Sequence, residues 1–180
     1  MRVLPGAAPA SAEKDASLEL ARQVAESVLD PELPVVSLAD LGVLRRVEAL
    51  DGDVVVTITP TYSGCPAMEV MRADLLRSLA GAGLERVRVV VELSPPWSTD
   101  WITPAGREAL RRHGVSPPGP APERARGRVA LTLTPTRRHA RCPRCGSSAA
   151  TLVSDFGSTA CKALYTCSEC LEPFEHVKEI

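Results

Sequence analysis

Aromatic side chains are scarce: two each of Phe, Tyr and Trp in 180 residues. A core cannot be built around so few rings, so burial has to rest on Val, Leu, Ile and Ala. Net charge is nearly absent as well, with 21 basic groups against 22 acidic. Residues 1–114 carry 12 basic and 16 acidic groups, 115–128 three and one, and 129–180 six and five. No piece offers the dense Lys/Arg surface that counterion-driven binding needs, which argues against nucleic acid as a partner. Long apolar runs are missing. No window approaches a membrane span, and MRVLPGAAPASAEKDA lacks the continuous apolar stretch of a secretory signal. The expectation is no membrane, a cytoplasmic protein and reduced thiols. Only three His are present, no Ser/His/Asp set and no glycine-rich phosphate loop stand out, and nothing completes a catalytic constellation.

Sixteen prolines and six cysteines punctuate what remains. Residues 1–16, rich in Ala, Pro and small polar groups, read as a disordered leader. Leu18, Ala21, Val24, Ala25, Val28 and Leu29 then recur at helical spacing until Pro31 stops the helix near Asp30. After DPELPVVSLADLG come two strands, 43–50 and 53–59, joined by the hairpin dipeptide Asp51-Gly52. Met68, Met71, Leu75, Leu76 and Leu79 make 67–79 an amphipathic helix; 86–93 is a third strand and about 104–113 a last helix. A right-handed crossover leaves the third strand parallel to the second. The fold class is α/β (α+β): a small three-stranded sheet with helices over residues 17–114, a Pro/Gly/Arg linker at 115–128, and a small β zinc-ribbon-like domain at 129–180.

The pairs Cys142-Pro-Arg-Cys145 and Cys167-Ser-Glu-Cys170 are separated by 21 residues. Each CxxC turn converges two sulfurs on one cation, and the doubled spacing matches a zinc ribbon. Short strands at about 151–155, 163–166 and 174–178 make a body too small to hold itself by apolar burial. Zinc is the expected ion, with iron or an iron-sulfur cluster as the alternative, because tetrahedral sulfur suits all of them. Cys161 stands either as a buried thiol or as an extra, exchangeable ligand.

The topology gathers the start of the first strand and the ends of the second and third on one sheet edge, where ligands of open α/β sheets sit. Asp40, Thr61, Tyr62, Cys65, Trp97, Asp100 and Trp101 fall in the loops of that edge. Cys65, between Gly64 and Pro66 at a helix start, is expected to have a stabilised, reactive thiolate. A small buried side chain is its other reading. Trp97 and Trp101 lie in a Pro-flanked loop suited to partner contact as well as to packing. Asp30, Glu32 and Asp40 are turn and capping residues or metal and partner contacts.

DPELPVVSLADLGVLRRV and VTITPTYSGCPAMEVM resemble the SufT-related iron-sulfur assembly family. SPPWSTDWITPAGREAL, CPRCGS and DFGSTACKALYTCSECLEPFEHVK extend the resemblance, over about residues 17–180, to the PaaD family of accessory components of phenylacetyl-CoA (ring) epoxidase systems. The resemblance implies a non-catalytic helper that matures or inserts a metal centre of the diiron oxygenase or of its flavin and iron-sulfur reductase. It implies oxygenase and/or reductase subunits as partners, and the iron-sulfur assembly machinery beside them. It matches Asp40 and Cys65 to acidic and reactive-cysteine positions, and Cys142, Cys145, Cys167 and Cys170 to metal-binding ones. The alternative is a structural subunit of the oxygenase complex with a purely architectural zinc site.

Overall fold

The computed structural model describes residues 10–122 and 140–180. Residues 1–9 of the expected leader, 123–128 of the expected linker and 129–139 of the expected ribbon lie outside the described residues. Helix α1 spans Ala10–Ser27, so backbone from Ala10 to Ala16, given above to the leader, is helical. No Pro or Gly interrupts ASAEKDA, and Ala, Glu and Lys are good helix formers. The inner stripe buries Ala21 and Ala25, with Val28 just beyond, whereas Leu29 is 48% exposed past the last turn.

Strands β1 (Leu44–Leu50) and β2 (Asp53–Ile58) form the antiparallel hairpin. Asp51 and Gly52 both take positive φ, 54° and 81°, as a two-residue turn with the twist of the flanking strands requires. Helix α2 (Met68–Gly81) crosses over, and β3 (Val87–Val91) pairs parallel to β2 in the order β1-β2-β3. Central β2 buries Val55, Val56, Thr57 and Ile58, and Met71, Leu75 and Leu79 on one face of α2 join the same core as Ala21 and Ala25 of α1. A 3₁₀ turn (Thr99–Trp101) leads into α3 (Pro104–Arg112), capped by Thr103, whose hydroxyl accepts the Gly106 amide. Helix α3 lies so close to the turn before β1 that a Cβ at Gly106 would stand 2.7 Å from the Asp40 carbonyl oxygen.

Strands β5 (Ala150–Ser154), β6 (Lys162–Cys167) and β7 (Pro173–Val177) make the antiparallel ribbon. Strand β4 (Val115–Ser116) adds to it parallel to β7, giving the order β4-β7-β6-β5. The first two residues of the expected linker are thus an edge of the ribbon sheet. The seam is packed. Val177 belongs to the core of the first unit, and the Thr99 amide donates to the Ile180 carbonyl at 3.1 Å. The Arg107 guanidinium donates to the carbonyls of Thr99, at 2.7 Å, and Pro118.

Candidate functional site

Two turns of one design hold four thiols. In CPRCGS the Gly146 amide donates to the Cys142 carbonyl and the Cys142 amide to Ser147, both at 2.9 Å. In CSECLE the Leu171 amide donates to the Cys167 carbonyl at 3.1 Å and the Cys167 amide to Glu172 at 2.9 Å. The residue after each second cysteine takes positive φ, 76° at Gly146 and 60° at Leu171. Cys142 Sγ stands 3.6 Å from Cys170 Sγ and Cys145 Sγ 3.5 Å from Cys167 Sγ, and all four sulfurs lie within 4.8 Å of one another. Zn–S bonds of about 2.3 Å in a tetrahedron put its sulfurs about 3.8 Å apart, so this donor set fits one such ion.

The four thiols do not ionise independently. The Cys170 amide, working against burial and aided by the Glu169 amide, holds the Cys167 thiol down to about 7. At Cys145 the Ser147 amide pulls the same way, yet the crowding of Cys167, then burial, then Cys170 and Cys142 push it up to about 12. Four thiolates in that space need a cation between them.

A second set of side chains meets where the ribbon docks on the loop edge of the first sheet. A small, mostly apolar cavity there has about 40 Å³ of internal space, room for one ion or a few waters. Thr61, Tyr62, Cys65 and Trp97 line it from the first unit, and Thr159, Cys161, Lys162 and Val177 from the second. Asp30 lies against it too, 4% exposed, its Oδ1 accepting the amides of Glu32 and Leu33 at 2.8 Å each. This is the local turn that an Asp at the start of DPEL makes. Trp97 is 2% exposed, and its Nε1 donates to the Leu41 carbonyl at 2.9 Å, so the ring packs inside.

Cys65 sits in the loop between β2 and α2, half-buried, its amide donating to the Tyr62 carbonyl at 3.2 Å. A lowered thiol pKa was the expectation at a helix start; the direction is the reverse. Burial pushes the Cys65 thiol up, the Ala67 amide pulls it back in part, and the charges of Cys161, Asp30 and Glu32 push it further up.

The other members of the expected edge serve the scaffold. Asp40 accepts Thr103 Oγ1 on Oδ1 at 2.5 Å and Ser37 Oγ on Oδ2 at 3.2 Å, tying the turn before β1 to the cap of α3. Asp100 accepts the Ala121 amide at 2.9 Å, and Trp101 lies under the Arg45 guanidinium, 3.5 Å from the ring centroid. None of the three lines the cavity. Cys161 is likewise placed otherwise than as an extra ligand of the ribbon ion. It precedes β6, whereas Cys167 ends it, and six residues of strand at about 3.3 Å each separate them by roughly 20 Å. That length rule was the signal available in the sequence. Nothing in the sequence marked Cys161 as facing Cys65, because only the docking of the ribbon creates that pairing.

The fold also makes a Ser-His-acid chain absent from the sequence-based expectation. His176 Nδ1 is 3.0 Å from Ser116 Oγ, and its Nε2 is 3.2 Å from Glu179 Oε1, which also accepts the Gly119 amide at 3.1 Å. Ser116 and His176 are both fully buried, so no substrate reaches them, and the chain acts as a clasp between β4, β7 and the carboxy terminus.

Known proteins share both units. The PaaD zinc beta ribbon domain matches residues 127–178, and the iron-sulfur cluster assembly protein family matches residues 21–93. A protein of Escherichia coli (strain K12) named for its place in 1,2-phenylacetyl-CoA epoxidase, as one of the subunits, is 46% identical over 149 residues, 83% of this chain and 85% of that relative. The chain belongs to the PaaD family. An Fe-S protein maturation auxiliary factor of Porphyromonas gingivalis (strain ATCC BAA-308 / W83) is 33% identical over 79 residues, 43% of this chain and 74% of that one. Among solved structures, a domain of unknown function, DUF59, from Bacillus anthracis superposes with a TM-score of 0.50 at 28% identity, covering 56% of this chain and 96% of that one. A PaaD-family chain thus carries an assembly-type α+β unit followed by a zinc ribbon with a four-cysteine metal site. Among the described residues no helix is long and apolar enough to cross a membrane.

Proposed function

We propose that this chain is a non-catalytic, cytoplasmic maturation factor of a phenylacetyl-CoA epoxidase system, helping to assemble or insert a metal centre in its oxygenase or reductase subunits. The observation that carries this is the separation of its thiols. Cys65 stands on a loop of the unit that matches the iron-sulfur assembly family, away from the four sulfurs that the ribbon uses for its own ion. Zinc is the ion we assign to the ribbon, with a single iron as the alternative: the close set of four sulfurs suits one tetrahedral ion of either kind, whereas the bridging sulfides of a cluster would hold its cysteines further apart. Its role there is to hold the ribbon together.

A Cys65→Ser chain should keep its fold and ribbon metal, because the side chain is small and belongs to the other unit. The loss should appear in the client. Oxygenase or reductase from cells carrying Cys65→Ser should be short of iron or cluster, and chemical restoration of that metal should recover activity without this protein. A purely structural role in the oxygenase complex, the second reading, predicts fully metallated clients that stay inactive until the protein is added back. Client metal content equal to wild type sinks the maturation role.

A further inference from the structure

We propose that β3 is the contact by which two copies of this chain pair, antiparallel about a two-fold axis at Val90, so that their first sheets join into one. This goes beyond the maturation role and does not depend on it. The two edges of the sheet are unlike. Strand β1 has an irregular register between Leu44 and Arg46 and carries Arg45, Arg46 and Glu48. Strand β3 pairs with β2 in unbroken register and packs only on β2 and α2 among the described elements, with no strand on its outer side. Along it Val90, Val91 and Leu93 are 42%, 45% and 62% exposed. A regular, valine-rich edge left open is a template for another strand.

Backbone direction decides which residues can pair. The Val54 amide donates to the Arg86 carbonyl at 2.8 Å, and the Glu92 amide donates to the Ile58 carbonyl at 2.9 Å. Even-numbered residues of this stretch therefore turn their backbone groups to β2, and Val87, Val89, Val91 and Leu93 turn theirs outward. An antiparallel partner must bond through these four.

The strand's own sequence meets that condition. In VRVVVEL, rotation about Val90 sets Arg88 opposite Glu92 of the second copy, Val89 opposite its Val91 and Val87 opposite its Leu93. The valine and leucine pairs are then the hydrogen-bonded ones, and Arg88 with Glu92 the closer, non-bonded ones, where side chains interact most. Opposite charges flank the axis on the open face of the sheet. Bonds within the chain hold both side chains there, Arg88 to Asp53 at 3.1 Å and Glu92 to Arg46 at 3.0 Å. On the helix face Val89 is buried in the core and Val87 packs against it, whereas Val91 and Leu93 are exposed. Pairing lays the exposed half of each strand beside the buried half of the other, which removes that apolar surface from water. The axis also separates the working ends. Cys65 follows the carboxyl end of β2, which runs parallel to β3, so the two copies carry this loop at opposite sides of the joined sheet and each meets a client by itself.

Sedimentation equilibrium of the full chain, with amide exchange read along β3, tests the pairing. The unmutated chain should dimerise reversibly, and the Val87, Val89, Val91 and Leu93 amides should gain protection as concentration rises. Arg88→Glu sets like charges opposite each other on both sides of the axis, and so does Glu92→Arg; each should weaken self-association about tenfold or more. An equimolar mixture of the two variants should recover dimers, because the facing charges are opposite again, and that recovery rules out misfolding as the cause of the loss. A chain that is monomeric at every concentration, a dimer that survives both substitutions or leaves the β3 amides unprotected, or a mixture no better than its components overturns the pairing. Protection that appears only when oxygenase or reductase subunits are added assigns the edge to a client strand and overturns it too.

Discussion

The ribbon and the interdomain cavity each gather thiols, and they differ in what else holds those thiols in place. In the ribbon the ligands belong to the core: Cys142 and Cys167 are buried together with Ala140, Ala163, Tyr165 and Phe174. Tyr165 stacks on Phe174 with centroids 5.9 Å apart and meets His176 edge-on at 5.7 Å, so among the described residues three rings, two alanines and the sulfurs make up most of this small interior. In the first unit the core runs from Ala21 through Ile58, Leu75 and Leu110 without drawing on Cys65, which only packs against it from a loop. One set of thiols is bound up with stability. The other is carried on a finished fold and is free to act.

Loss of the ribbon ion should therefore have the largest effect. Cys167→Ser removes a fully buried ligand, and structural zinc contributes about 10 kcal/mol or more to small metal-dependent folds. Amide exchange in β5, β6 and β7 should rise to the level of an unfolded segment while β1, β2 and β3 stay protected. Simultaneous loss of protection in both sheets would break the distinction between the regions. Next comes Trp97→Ala at the seam, expected to cost about 3–5 kcal/mol because the ring is buried and its Nε1 donates to Leu41. Urea unfolding should show that loss with the ribbon ion still bound; a cost under about 1 kcal/mol would mean that the seam does not depend on this side chain.

Most of the scaffold was legible because local chemistry decides it. Asp51-Gly52 sets a turn, Pro104 starts a helix, apolar residues at helical spacing name the inner face of α2, and two CxxC pairs name their own site. What stayed hidden depends on the meeting of distant segments. Ser116 and His176 are unremarkable until β4 pairs with β7, and a Pro-rich stretch reads as a tether until its first two residues take an edge of the sheet. Cys65 shows the same limit. Its place before α2 was readable, but the sign of its pKa shift was not, because desolvation by burial outweighs the pull of the Ala67 amide at the helix start. Asp40, Asp100 and Trp101 share the loop edge with Cys65 in topology yet face scaffold partners, since a sheet edge is wider than one cavity.

The clasp at the carboxy terminus sharpens the comparison through pH. Burial resists ionisation of Glu179, but the His176 ring, its own amide and the Gly119 amide outweigh it and hold the carboxyl at about 2 against an ordinary 4.5. A carboxyl lowered in the folded chain stabilises it at every pH above the unfolded value, and that contribution fades as pH falls from about 4.5 toward 2. Glu179→Gln should thus cost about 1–2 kcal/mol at pH 7, allowing for solvent screening at a partly exposed group, and the gap to wild type should narrow in acid. Urea titrations of both chains from pH 7 to pH 3 check this. A gap that widens on acidification would reverse the assigned sign.

The smallest effect concerns the difference between the two CxxC turns themselves. Both need a left-handed residue after the second cysteine, yet one uses Gly146 and the other Leu171, whose side chain is 74% exposed. A leucine at φ 60° costs about 1–2 kcal/mol relative to a right-handed conformation, while glycine takes that region freely. Against this, glycine adds conformational freedom to the unfolded chain. Leu171→Gly should therefore stabilise the zinc-bound ribbon by about 0.5–1 kcal/mol and tighten its hold on the ion in proportion, since the turn that presents Cys167 and Cys170 would then be unstrained. Competition for zinc against a colorimetric chelator would measure it. Weaker zinc binding in Leu171→Gly would show that the exposed leucine supports the turn by packing on its neighbours, and that the two turns, alike in hydrogen bonding, are held by different means.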